Sequence, residues 1–153
     1  KIAKKITDKN RLDVVDVAAI QLQNLSRKVT GYNNVRLLHQ DATELNLEPE
    51  SYEMVMIFFL LHEVPDHMKT QILEQALKMT KPGGQIVLVD YHKPKSWSPF
   101  RYLMIPILTW VEPFAMGLWK RELSSWLPEG TKVKKMTKET FFTGLYQKVV
   151  IDL

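Results

Sequence analysis

Short β-branched runs alternate with amphipathic stretches along most of this chain. Residues 11–17 (RLDVVDV) follow the turn-like Asp8-Lys9-Asn10 and read as a buried strand. Residues 18–29 place Ile20, Leu22 and Leu25 at helical spacing. Gly31-Tyr32-Asn33-Asn34 makes a turn, and residues 35–39 the next strand. A polar loop covers residues 41–50. Residues 52–59 then form a continuous apolar run, as in a strand covered on both faces. Residues 66–80 bring Ile72, Leu73, Ala76 and Leu77 to one side of a helix, and Lys81-Pro82-Gly83-Gly84 stops it. Residues 85–91 are another buried strand. Residues 97–127 are apolar and rich in Trp and Pro, which predicts two broken helices. Residues 132–136 and 145–151 read as a last antiparallel pair at the sheet edge.

Strands alternating with helices predict an α/β fold whose sheet is mostly parallel, with right-handed crossovers. The 153 residues match the size of one domain. Residues 1–9 read as the tail of a helix begun upstream, with Ile2, Ala3 and Ile6 on one side and no apolar signal-peptide core. The chain therefore looks like one that starts in mid-domain.

Composition narrows the function classes. Hydrophobic residues make up 45% and charged residues 25%, as in a soluble protein with a true core. The absence of cysteine excludes disulfides and thiolate metal sites. It fits a reducing, cytoplasmic setting. The net charge of +4 comes from 21 basic and 17 acidic residues spread along the chain. No basic run interleaves with stacking aromatics, so nucleic acid is not the expected partner.

The ordered segments carry more information than any one alone. An acidic residue, Asp16, closes the first strand; QDAT follows the second at residues 40–43; then come SYEMVMIFFLLHEVPD and LKMTKPGGQIVLVD. This set resembles the S-adenosylmethionine-dependent methyltransferases, from the part of their domain after the glycine-rich cofactor loop. The resemblance implies a Rossmann-like fold that lacks the family's first strand and that loop. A narrower likeness, to the rhodoquinone-biosynthesis subgroup, rests on LDVVDVAAIQLQNL, FFLLHEVP, VDYHKP, WVEPFAMGLWKREL and FFTGLYQKVV. That subgroup replaces a methoxy group of ubiquinone with an amine, using S-adenosylmethionine and a divalent metal such as manganese.

The resemblance implies roles for particular residues. Asp16, with Val17 beside it, stands where the family binds the cofactor ribose; an Asp there also serves as a cap for the following helix. Asp41 would accept from the adenine amino group and Ala42 offer its backbone N–H, or Asp41 closes a turn. Phe58 and Phe59, at the carboxyl end of their strand, would wall the adenosine. His62 and Glu63 follow in the loop where the family reaches its substrate. A histidine there is a candidate general base, its ordinary pKa being near neutral. The bland alternative is a structural histidine bonded to a carbonyl. Strands 52–59 and 85–91 should be neighbours about 4.8 Å apart. Their ends then bring His62, Glu63, Asp90 and His92 to one rim, with His62, Glu63 and His92 as catalytic candidates. All four are oxygen and nitrogen ligands suited to manganese.

Tyr91, Trp97, Trp110 and Trp119 are the expected substrate wall, with residues 97–127 as a helical cover. The run from Phe100 to Trp119 has the length of a membrane span, but Arg101, Glu112, Pro106 and Pro113 argue against one. YLMIPILTW has almost no polar residue to turn outward. It must be buried, line a pocket or lie at a membrane surface. The leading expectation is an S-adenosylmethionine-using transferase for a small apolar aromatic such as a quinone, with a peripheral contact at the inner face of a membrane. The alternative is a truncated, non-catalytic binding or assembly module. Either way an N-terminal fragment or a swapped copy is expected to complete the sheet, because the family's first strand lies between the two central ones.

Overall fold

The computed structural model describes residues 10–112 and 114–153. The helix tail read over residues 1–9 lies outside them. The chain divides into two compact units, residues 1–46 and 47–153.

In the first unit, β1 (Leu12–Asp16) and β2 (Val35–His39) run parallel, in register from Leu12 opposite Val35 to Asp16 opposite His39. α1 (Ala19–Lys28) makes the crossover between them. Two cations in its last turn, Arg27 and Lys28, complement the negative end of the helix dipole. Gly31, at φ 93°, supplies the left-handed residue that turns the chain back. Across the pair, the Arg36 guanidinium grips Asp13 through two bonds of 3.2 and 2.7 Å. The register is thus fixed by charge as well as by the apolar pattern.

The second unit holds β3 (Tyr52–Phe58), α2 (Asp66–Met79), β4 (Thr80–Tyr91), α3 (Pro99–Val111), α4 (Ala115–Lys120), β5 (Lys135–Phe141) and β6 (Tyr146–Asp152). Its sheet has the order β3-β4-β6-β5, with β3 and β4 parallel and β6 antiparallel to both neighbours. Leu73, Ala76 and Met79 of α2, Ile86 and Leu88 of β4, and Val149 and Ile151 of β6 are buried as its core. Among the described residues β1 pairs only with β2 and β3 only with β4, so each keeps one unpaired edge.

Two boundaries differ from the sequence reading. The strand expected over residues 85–91 begins earlier, at Thr80, which pairs with Tyr52. The Lys81–Gly84 segment bulges out of the ladder, and regular pairing resumes at Met54 opposite Gln85. Gly83 takes φ 81°, and Gly84 packs so closely that a Cβ would lie 2.9 Å from the Glu53 carbonyl and 2.7 Å from Thr80 Cγ2. Gly84→Ala should therefore cost about 1–3 kcal/mol by overpacking. A urea midpoint unchanged from the parent protein would show that the bulge gives way freely. The first strand of the antiparallel pair falls at Lys135–Phe141, not at residues 132–136. Every residue of β5 is exposed, so no apolar alternation marks it. Its lysines and Glu139 instead guard a sheet edge.

One buried cation was not legible in the pattern. Lys69, on α2, has no solvent exposure. Its ammonium donates to Asp66 Oδ1 at 2.9 Å and to the Phe114 carbonyl at 3.2 Å, and lies 5.0 Å from the Trp126 ring centre. Burial would raise the Asp66 pKa, but the Lys69 hydrogen bond and the charges of Lys69 and Arg121 outweigh it and hold the carboxyl below its ordinary range. The contact pins the start of α4 to α2.

Candidate active site

β3 and β4 end side by side, and their carboxyl ends build a compact acid–base group within the second unit. Phe59 leaves β3 in a left-handed conformation, φ 50°, while its N–H still bonds the Val89 carbonyl at 2.8 Å. This bend starts a 3₁₀ turn, Leu61–Glu63, that tucks Leu61 and His62 inward. Asp90, at the end of β4, is 1% exposed. Its Oδ2 accepts the backbone N–H groups of Leu61 (2.9 Å) and His62 (3.3 Å), and its Oδ1 lies 2.8 Å from His62 Nδ1. The carboxylate therefore anchors the turn and orients the imidazole. It favours the tautomer with the proton on Nδ1, which leaves Nε2 as the acceptor.

Nε2 faces Glu112, from just past α3, at 3.6 Å, and Glu63 at 3.9 Å. Glu112 Oε2 is buried and has no hydrogen-bond partner. Burial lowers the His62 pKa, but the Asp90 hydrogen bond and the negative charges of Asp90, Glu112 and Glu63 prevail and raise it. Tyr91 stands 4.8 Å from the imidazole, ring centre to centre and nearly perpendicular. Phe59 sits 5.8 Å from Tyr91 and 5.4 Å from Tyr146, completing an aromatic wall. Burial, and then the charge of Glu112, push the Tyr91 hydroxyl pKa up, so it stays a neutral donor.

The other expected residues fall elsewhere. His92 Nδ1 lies 2.9 Å from the Gly144 carbonyl, and the ring borders a separate cavity with Lys93, Trp119 and Lys120. The metal site expected from His62, Glu63, Asp90 and His92 is corrected. No group of three or more His, Asp or Glu among the described residues is arranged to hold an ion. The reason is local: His62 spends Nδ1 on Asp90, Asp90 spends its oxygens on backbone N–H groups, and His92 is committed to a carbonyl.

Trp119 is buried, whereas Trp97 and Trp110 are 69% and 88% exposed. Phe58, at 62% exposed, touches Phe59 edge-on. Glu112 was missed as a site residue. In the sequence it is only a charge interrupting an apolar stretch, and nothing local to it points to His62.

In the first unit, Asp16 and Asp41 lie at the same end of the parallel pair. Asp16 Oδ1 accepts the Ala18 N–H at 2.7 Å, the capping alternative. Asp41 Oδ1 accepts the Thr43 N–H at 2.8 Å and its hydroxyl at 2.7 Å, and these bonds lower its pKa. Ala42 is held in the turn closed by Glu44 N–H on the Asp41 carbonyl. The exposed Val17 lends its carbonyl to His39 Nε2 at 2.8 Å. A cavity of about 230 Å³ beside Asp16 is lined by Val14, Gln21, Leu22 and Lys28 among others, and Asp41 does not border it.

Comparison with known proteins decides the family. Residues 1–84 match the model of a methyltransferase domain. The chain belongs to the class I S-adenosylmethionine-dependent methyltransferase family. It is similar to the demethylmenaquinone methyltransferases of Bacillus velezensis, 31% identical over 107 residues, and Listeria monocytogenes serotype 4a, 29% identical over 153. The matches cover 69% and 93% of this chain but 45% and 63% of those proteins, so the chain spans about half the length of the curated relatives it matches. In fold it resembles the CurJ carbon methyltransferase, with a TM-score of 0.71 and 15% identity over 99% of this chain and 44% of that one. An S-adenosylmethionine-dependent methyltransferase from Aquifex aeolicus gives 0.63 and 16% over 98% and 72%. These two likenesses concern the fold, and they agree with the Rossmann-like mixed sheet.

Proposed function

We propose that this family member takes part in methyl transfer from S-adenosylmethionine to a hydroxylated aromatic of quinone type. The single observation that carries the reading is the buried Asp90–His62 pair, walled by Phe59, Tyr91 and Tyr146. Methylation of an aromatic acceptor requires a proton to leave, from a hydroxyl or from the ring carbon that gains the methyl group. His62 Nε2, oriented by Asp90 and raised in basicity by its carboxylate neighbours, is placed to take that proton. The aromatic wall offers an apolar face for a ring, and Tyr91 can donate to a substrate oxygen. The cofactor supplies the methyl group. The relatives named demethylmenaquinone methyltransferase support the quinone class; the amine-forming chemistry of the rhodoquinone subgroup rests on the narrower sequence likeness alone.

The cofactor contacts follow the family pattern. Asp16 would exchange its Ala18 contact for, or share it with, ribose hydroxyls, while Asp41 and Ala42 would meet the adenine. The donor set fits: a carboxylate at the end of a parallel strand and a backbone turn beside it. Isothermal calorimetry with S-adenosylmethionine tests the assignment. Asp16→Ala should weaken binding by about 1.5–3 kcal/mol for each charge-assisted bond lost. An unchanged affinity would leave Asp16 only its capping role. Transfer of labelled methyl to a short-tailed demethylated quinol tests the reaction itself, and no transfer to any phenolic acceptor would favour the non-catalytic module.

A further inference from the structure

α3 presents a surface that proton transfer does not use. Of its 13 residues only Leu108 is buried, while Tyr102, Leu103, Trp110 and Val111 are 65%, 60%, 88% and 71% exposed. A helix on a protein surface normally turns polar groups to water. Here the few polar groups turn back: the Thr109 hydroxyl donates to the Ile105 carbonyl at 2.7 Å and the Tyr102 hydroxyl to the Ser96 carbonyl at 3.1 Å. The apolar face continues past the helix. Lys95 N–H bonds the Thr143 carbonyl at 3.0 Å, and the hydroxyls of Ser98 and Thr143 meet at 2.6 Å. These bonds hold exposed Phe142 beside the loop that carries exposed Trp97.

Beside this face lies a cavity of about 330 Å³, bordered by Lys93, Arg101, Lys120 and Arg121, with Trp119 in its lining. Its one acid, Glu122, is paired with Lys138, and Arg121 reaches Asp66 at 3.3 Å. Lys93, Arg101 and Lys120 make no ion pair among the described residues. Arg101 belongs to α3 itself, so the basic cavity and the apolar helix are continuous. Among the described residues no helix is long and apolar enough to cross a bilayer.

We propose that this face docks on the surface of an anionic phospholipid membrane. α3 lies in the plane of the interface with Trp97, Trp110 and Phe142 at the boundary between headgroups and acyl chains. The basic cavity receives a lipid phosphate. Charge selects a lipid over a second copy of the chain. A symmetric self-contact through this face would bring two copies of the cationic rim formed by Lys93, Arg101 and Lys120 together, like charge near like charge. The inference goes beyond the methyl-transfer reading and does not depend on it.

Vesicle flotation tests it, with pure phosphatidylcholine set against a mixture containing phosphatidylglycerol. The protein should bind the mixed vesicles roughly tenfold or more tightly, and high salt should weaken that preference. Leu103→Glu with Trp110→Glu should abolish binding, and Lys93→Glu with Lys120→Glu should remove the preference for the anionic lipid. All four positions border solvent or the open cavity, and circular dichroism verifies that the variants stay folded. Absence of binding to the mixed vesicles, or equal binding by the variants, overturns the proposal. So does a lipid-free dimer in sedimentation that Trp110→Glu dissociates, since the face would then be a self-contact. Loss of methyl transfer to a water-soluble acceptor would leave the flotation result unmoved, so the two readings fail separately.

Discussion

His62→Ala should lower the turnover of methyl transfer by about 10²–10⁴-fold, the usual contribution of a positioned general base, while leaving S-adenosylmethionine affinity nearly unchanged. The pH profile gives the sharper readout. Asp90, Glu112 and Glu63 raise the His62 pKa above its ordinary value of 6.5. Only the neutral imidazole accepts a proton, so turnover should climb with pH through that raised pKa and then level off. Glu112→Gln removes one of the charges that favour the imidazolium and should shift the rise to lower pH. His62→Gln should abolish it. The same linkage acts on stability with the opposite sense. A raised folded-state pKa stabilises the fold in full below the unfolded value, and the contribution disappears as pH climbs through the folded value. Turnover independent of pH across this window, or an undiminished His62→Ala rate, would return His62 to the role of a packed structural histidine.

Asp90→Ala should destabilise the second unit by about 3–5 kcal/mol, the range for removing one partner of a buried charged pair. The carboxylate holds more than the imidazole. Without it the N–H groups of Leu61 and His62 are buried and unpaired, and the 3₁₀ turn loses its anchor. Asp90→Asn separates the two duties. An amide oxygen can still accept from Leu61 and His62, so most of the stability should return. The amide cannot reproduce both the backbone contacts and the carboxylate's hold on His62 Nδ1–H, so turnover should stay depressed. Urea denaturation and steady-state kinetics on the pair check this. Equal stability of Asp90→Ala and the parent would mean that the turn is held by packing alone.

Much of the fold was legible because local chemistry repeats the tertiary demand. The apolar runs around Val14, Ile57 and Leu88 all form strands, but only the run at Leu88 is covered on both faces as expected; β3 leaves Met54, Met56 and Phe58 exposed, and β1 is half-buried. The i, i+4 spacing of Ile72 and Ala76 fixes which side of α2 faces inward. The family resemblance extended this to the strand ends and so to His62 and Asp90 as candidates. β5 escaped because its stabilisation lies in ladder bonds to β6, which leave no apolar trace on an edge strand exposed on both faces. The early start of β4 escaped because a Pro-Gly-Gly turn and a bulge share one composition.

The candidate site divides along the same line. The sequence alone determined that a histidine and an acid lie at the carboxyl ends of two apolar strands, and that an unusually apolar stretch follows them. Only the tertiary structure decided that Asp90 faces Nδ1 of His62, that Glu112 arrives 50 residues later in the chain at Nε2, and that His92 turns away to a carbonyl. Side-chain periodicity specifies faces of an element, whereas these contacts depend on how helices and loops distant in sequence are docked, which no local pattern encodes. The same holds for Trp110 and Trp119, nine positions apart in one apolar tract. One is exposed and the other buried because α3 touches its unit mainly through Leu108, while α4 is pinned by Lys69.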